Sequence, residues 1–551
     1  GQVRDVTDRA IYELTTEDVL EVSSEGLATA RAIGDGAVLI RFLGKMALSR
    51  LIVLDARPDF RWTKPSENNF VDTHVFARLK DRQILPSDLC SDTEFLRRVS
   101  LDTIGLPPTP REIRDFLADT RADKRARKIN ELLDRPEFAE QWTLYWLDLL
   151  RADESAAVMG RKGVWTLSRW LHQAFDRGMP YDQFVRAFLT ARGSQFQNPP
   201  AAFSRVFRQA HEKGEAIAQL FLGIRIECAQ CHDHPFDRWT QHDYQSMAAF
   251  FHKVRRKDGP DYYDESQIYL EPESQPSVSL RFLDGSTIQW NTERDRREAL
   301  ADWMLGPGKK WVARAIVNRV WGKLLGRGIV DPVDDLRFSN PPANDALWEA
   351  LTDDFLAHRY DFKHLVRTIL NSRTYQLSAK TNSTNASDQT HFSHARLRRL
   401  TAEQLLDALA RTTGIEEEFQ GVPPGYRAAQ IPTTATGSYF LKTFGRPARK
   451  GPCSCERSNE PTLPQVLHFL NGSTIMKRLS AEGGTLQRLL RAGHEDDRLV
   501  EELYLHVLSR FPNERELQLG RAQLAAPGPR NDAAEDLLWA LLNSKEFLFN
   551  H

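Results

Sequence analysis

Hydrophobic positions along this chain follow two different periods. In the first 55 residues Val38, Ile40 and Phe42 alternate with other residues, as in a half-buried strand. Gly26, Gly34, Gly36 and Gly44 punctuate short strand-like runs at the spacing of a β-sandwich. Residues 56–70 carry Pro58, Pro65, Asn68 and Asn69 and read as a linker. From about residue 71 the period becomes helical. Phe95, Val99 and Leu101 lead into Gly105-Leu106-Pro107-Pro108-Thr109-Pro110, a rigid turn in which Thr109 or its neighbours can cap a helix starting at Pro110-Arg111-Glu112. Helical patterns follow at about 110–134, 136–152, 163–176 and 180–192, and Trp142, Tyr145, Trp146 and Leu149 share one face as a core stripe.

Ile217, Leu220, Phe221 and Ile224 form an apolar helical face that runs directly to residue 228. Pro235 then forbids a regular helix interior and predicts a loop. A second helix is expected from about His242, carrying Tyr244, Met247, Phe250 and Phe251. Residues 254–294 are rich in Asp, Pro, Ser and Tyr, contain the strand-like piece 278–282, and read as a connection. Helical periodicity resumes near Arg296, breaks over about 415–460, and returns at about 463–480, 496–510, 513–525 and 531–547. The pattern predicts a mainly α, multidomain helical protein with a small N-terminal β-sandwich fragment. Its pieces are 1–55, the linker 56–70, a helical domain 71–253, the connection 254–294 and a second helical domain 295–551.

Composition narrows the classes. The 551 residues carry a net charge of -1 and are 41% hydrophobic, which gives ample core and argues against a nucleic-acid binder, where a basic excess is the rule. No run approaches the ~18 apolar residues of a membrane span. The chain opens on polar residues, Gly1-Gln2-Val3-Arg4-Asp5, without a leader pattern, as a mature or trimmed product would.

The sharpest chemical signal is Cys228-Ala229-Gln230-Cys231-His232. This is the attachment pattern of a c-type haem: each thiol adds to one vinyl group and the adjacent imidazole binds the iron. Covalent haem c at Cys228 and Cys231, with His232 on the metal, is the leading expectation. It places maturation outside the bacterial cytoplasm and the protein in the periplasm or secreted. The alternatives are a zinc or iron–sulfur site without haem, built on these residues together with Cys453 and Cys455, or a Cys228–Cys231 disulfide in a structural protein. His234 sits too close to His232 for a distal ligand, and orients the loop or meets a propionate. Arg238 can pair with a propionate and Trp239 can pack on the porphyrin edge, against the plainer readings of a salt bridge and a core aromatic. Met247, His252, His394 and His468 are the distal candidates, each also readable as an ordinary structural residue.

Only five cysteines are present. Cys453 and Cys455 form a Cys-x-Cys pair in the long irregular segment, too strained to bridge to itself. It can bind a soft metal, or one thiol can pair with Cys90. A sharper expectation brings this loop against the Cys228–His234 loop, with a thiolate near the metal, and with Arg457, held by Glu456, facing a propionate or substrate carboxylate. Asp331, Asp334 and Asp335 form an acidic cluster, by default a solvated turn and otherwise a calcium or sugar site. There is no Ser-His-Asp elbow, phosphate-cradling glycine loop or zinc-protease helix.

Longer strings carry a resemblance. The segments 220–227 and His234-Pro235-Phe236-Asp237 around the cysteines, with 97–109 upstream, are similar to the planctomycete cytochrome C-like domain over about 68–253. Val317-Asn318-Arg319-Val320-Trp321, 326–335, 372–378, 399–405, Phe444-Gly445-Arg446-Pro447 and 543–548 resemble its companion, the planctomycete-specific C-terminal domain. Residues 18–30 and 34–40 resemble the end of a bacterial Ig-like group 2 domain. Both large domains are formally of unknown function, so the resemblance implies layout and a bacterial surface or periplasmic setting rather than a substrate. The expected function is electron transfer or haem redox chemistry, as a haem-dependent oxidoreductase if it is an enzyme, with a redox partner protein or a polymeric substrate.

Overall fold

The computed structural model describes residues 4–15, 18–55, 57–152, 154–155, 158–257, 267–272, 277–451, 457 and 462–551. The period-two stretch forms the strand Gly34–Phe42, paired antiparallel with Ile11–Leu14 on one side and Lys45–Val53 on the other. Leu43 and Gly44 make the two-residue turn between the long strands, both at positive φ (46° and 73°), which matches the right-handed twist of a hairpin. Ala37, Val38 and Leu39 are buried. A small hairpin, Leu20–Val22 with Ala28–Ala30, completes these strands, which fit an Ig-like fragment.

The rest is mainly helical. Each predicted break has a local cause. Ser91 caps Asp92–Ile104, which ends at Gly105 in the left-handed region (φ 70°), and Thr109 caps Pro110–Ala118 in a reciprocal capping box. The periodicity at 110–134 resolves into two helices, Pro110–Ala118 and Lys124–Leu133. The stripe on Pro136–Leu149 is core: Trp142 and Trp146 are 1% and 0% exposed.

One apolar core extends from Val71 through Trp146, Phe221 and Trp321 to Phe392, and so joins the helices before residue 254 to those after 295. The expected connection carries two small sheets: Val254–Lys257 and Gln267–Leu270, joined by the earlier Gly193–Ser194, in one, and Ser277–Arg281, which holds most of the strand-like piece 278–282, with Thr287–Asn291 in the other. A second core runs from Leu400 to Phe547. Helix Asp92–Ile104 stitches the two: Arg97 donates to the carbonyls of Val507 and Phe547, and Arg98 to those of Tyr375 and Leu377. Among the described residues, no helix is long and apolar enough to cross a membrane.

Candidate cofactor-binding site

The helix Ala210–Ile217 continues as a wider turn, Ala218–Leu222, and stops at Gly223. Gly223 has φ 69°, and a Cβ there would lie 2.5 Å from Cδ1 of Leu336, so the position demands glycine twice over. The chain then passes Arg225 and enters a single 3-10 turn, Glu227–Gln230, with Cys228 and Cys231 both exposed and unpaired. The expected loop over residues 231–240 is observed, and the next helix, Gln241–Ala249, starts one residue before His242 under a Thr240 cap.

Several contacts hold this loop. Asp334 bonds Arg225 at 2.5 Å and Gln219 at 2.9 Å. Gln241 donates to the carbonyl of Cys231 at 2.6 Å, and its backbone N–H to Asp233 at 2.9 Å. Ser339 donates to the carbonyl of Phe236, and Arg41, on the N-terminal sheet, to that of Pro235 at 3.0 Å. The backbone N–H of His234 donates to the carbonyl of Trp239 at 2.7 Å, closing the loop on itself.

The two histidines differ. His232 is exposed and its Nδ1 lies 2.8 Å from the carbonyl of Asp233. A carbonyl only accepts, so the proton is on Nδ1 and the Nε2 lone pair is free for a metal. His234 is buried, and its Nδ1 accepts from the N–H of Phe236 at 3.1 Å. Burial holds its pKa below the usual histidine value, so it stays a neutral pillar of the loop. Asp237, also buried, is pushed up by desolvation while its carboxylate accepts from the N–H of Arg238.

Arg238 lies over the rings of Trp239 and Trp311, at 4.6 and 5.4 Å, and Trp239 packs edge-on against Trp311. Both engage the protein's own aromatic shelf, the core-aromatic alternative for Trp239 and a cation–π version of the plain reading for Arg238. Of the distal candidates, Met247 is sealed in the core at 1% exposure, and His394 has both ring nitrogens 3.0 Å from backbone carbonyls. His468 packs against Tyr439, Phe440 and Phe444, with Nε2 on Thr474, while His252 is exposed.

Asp334 and Asp335 are not a solvated turn. They are 2% and 5% exposed, and burial would raise the Asp334 carboxyl, but Arg319 and Arg225 outweigh it and hold it below the ordinary value. Sequence reasoning missed this clamp because Arg225 lies 109 residues away and nothing in the sequence aims Arg319, on a neighbouring helix, at Asp334.

Cys453, Cys455 and Glu456 lie outside the described residues. Arg457 is described. It is gripped by Asp148 at 2.5 Å and Glu403 at 2.7 Å, with Arg449 on Asp148 at 2.9 Å. Its expected role toward a propionate is corrected accordingly, since two carboxylates already neutralise it. The third described cysteine, Cys90, is buried and unpaired, and burial pushes its thiol up.

As a donor set the motif suits covalent haem. Two exposed thiols can reach outward to a macrocycle, and His232 offers an oriented Nε2. Among the described residues, the only group of three or more candidate ligands converging within 4.8 Å is Asp354, His358 and His364. Cys228, Cys231 and His232 therefore do not form a closed tetrahedral site by themselves.

Residues 70–256 match the family model described as PSCyt2, a protein of unknown function (DUF1549), and residues 296–524 match PSD1, a protein of unknown function (DUF1553). No curated protein and no solved structure matches the chain.

Proposed function

This chain belongs to the proteins that join a planctomycete cytochrome C-like domain to the planctomycete-specific C-terminal domain, and we propose that it is a c-type haem protein of the periplasm or cell exterior, working in electron transfer or haem redox chemistry. The observation that carries the reading is the pairing of exposed thiols at Cys228 and Cys231 with an imidazole whose free nitrogen is Nε2, on a loop clamped by Asp334, Gln241, Ser339 and Arg41. A loop pinned at both ends loses little entropy when it is cross-linked to a rigid ring.

When bound, haem supplies a one-electron couple tuned by its axial ligands and surroundings. The chain's own residues do the rest. Cys228 and Cys231 form the covalent tethers. Asp233 fixes the His232 tautomer and raises its basicity as a ligand. His234 and Asp237 hold the loop rather than bind. Met247 is occupied by packing and His394 by hydrogen bonds, whereas His252 is exposed, so electron transfer and small-ligand chemistry would both be open to a bound haem. The exposure of the motif suits a redox partner protein docking on this face, and the Ig-like strands beside it suit work at a surface or on a polymer.

The test is a visible spectrum of the full chain made in a host with the c-type haem maturation machinery. A Soret band with sharp α and β bands on reduction supports the reading. A colourless protein holding zinc or iron–sulfur at the cysteines overturns it.

A further inference from the structure

Away from the cysteine loop, the helices Asp345–Ala357 and Phe362–Leu370 meet in a tight reversal. Arg359 and Tyr360 both adopt left-handed backbone (φ 54° and 61°), so the chain turns within a few residues and stacks the first turn of the second helix on the last turn of the first. Consecutive non-glycine residues in that region cost energy, and such strain collects where side chains are held for a purpose.

The reversal brings three ligand-type side chains together. Asp354 and His358 are one helical turn apart, and His364 comes from the second helix. The two imidazoles stack with centroids 3.6 Å apart, 19° from parallel. One Asp354 carboxylate oxygen lies 2.8 Å from Nε2 of His364 and the other 3.2 Å from Nδ1 of His358, which also donates to the Asp354 backbone carbonyl at 2.9 Å. One donor atom from each residue falls within 4.8 Å of the other two. Bonds of about 2.0–2.1 Å in a tetrahedral zinc site put neighbouring donors roughly 3.3 Å apart. The two Asp354 contacts are already close to that spacing.

The scaffold beneath is rigid: Leu351, Phe355, Leu365 and Ile369 are fully buried. Asp361 caps the second helix by accepting from the N–H of His364, which fixes that residue's backbone. His358 is exposed, so one side of the cluster opens to water.

We propose that Asp354, His358 and His364 bind a divalent transition-metal ion such as Zn²⁺, with water completing the coordination. The ion takes the place of the contact between the Asp354 carboxylate and Nε2 of His364, and His358 either releases to water the Nδ1 proton it gives the Asp354 carbonyl or turns Nε2 to the metal. Two imidazoles, one carboxylate and an open position form a Lewis-acid site that takes an oxyanion or carbonyl ligand in place of the water. The site is separate from the cysteine motif and does not depend on haem.

The test titrates the full chain with Co²⁺ and with Zn²⁺ at pH 7.5, alongside C228S/C231S, H358A and H364A variants. Cobalt reports its donors: visible bands without thiolate charge transfer mean nitrogen and oxygen ligands. The expected result is one site of micromolar affinity or better, kept in C228S/C231S and weakened at least tenfold in H358A and H364A. A zinc-dependent rise in melting temperature should vanish in the same two variants. H358A changes an exposed side chain, and its melting curve without metal verifies that it still folds. No micromolar binding, binding unchanged in H358A, or binding that disappears in C228S/C231S would each overturn the assignment.

Discussion

Asp334 bonds Arg225 at 2.5 Å, three residues before Cys228. The carboxylate is almost wholly buried while the guanidinium is one-third exposed, so the aspartate depends on its partner more than the arginine does. Replacing Arg225 by Ala leaves a buried charge short of a partner and should cost roughly 2–3 kcal/mol in chemical denaturation. It should also raise amide exchange across residues 226–232. Equal stability in the variant would show that Arg319 and Gln219 suffice.

Gly223 is held by two independent constraints, and they can be separated. Gly223→Ala places a Cβ in left-handed backbone and against Leu336, an expected loss of about 2–4 kcal/mol. In a double-mutant cycle, Leu336→Ala should recover the steric part alone, a coupling of about 1 kcal/mol or more. Additive effects would mean that the backbone accounts for the whole cost.

The N-terminal strands are not inert. The first core draws no residue from 1–55, so a chain lacking them should still fold. Yet Asp35 bonds Arg78 and Arg82, Arg50 pairs with Asp345, and Arg41 holds the Pro235 carbonyl. The deletion should therefore lower the melting temperature and loosen residues 234–239 in hydrogen exchange. The linker composition of 56–70, which sets these strands apart in the sequence, carries no information about these arginines. Asp35→Ala alone should cost about 1 kcal/mol, less at high salt because the pairs are only partly buried.

Two buried carboxylates give opposite pH signatures. Burial would raise the Glu403 carboxyl, but Arg457 and Arg446 hold it down to about 2. Its contribution is complete above its ordinary 4.5 and is lost as pH falls toward 2. Burial pushes Asp407 up to about 7, against the N–H groups of Ala428 and Ala429 that favour its charge. The folded protein keeps that proton where the unfolded chain has released it, so stability falls as pH rises from about 4 to 7. Urea titrations across pH should show the acid limb flattened in Glu403→Gln and the neutral limb flattened in Asp407→Asn. Unchanged profiles would contradict the assignment.

The helices and the motif were legible in the sequence because their causes are local. Thr109 caps at Pro110, Gly105 ends a helix, and the 228–232 spacing needs no tertiary contact to be recognised. The small sheets at 254–291 were legible only in part: the strand-like piece 278–282 stood out, while polar composition hid its partner Thr287–Asn291 and the strand Gln267–Leu270. The clamps were illegible for a different reason. Arg225 with Asp334, Arg457 with Asp148, and Arg41 with Pro235 span about 110 to 310 residues, and a lone charge in sequence does not name its partner. For that reason the acidic cluster read as solvent-facing and Arg457 as a partner for a propionate or substrate carboxylate.

The central claim is that Cys228 and Cys231 tether haem. It is tested most directly by the mass and the haem stain of the denatured chain after acid–acetone extraction, from a host that matures c-type cytochromes. The account predicts one added haem per chain, retained through extraction, lost in C228S/C231S, and kept with an altered spectrum in His232→Ala. A denatured chain of unmodified mass with both thiols free, or a haem that extracts completely, would contradict it.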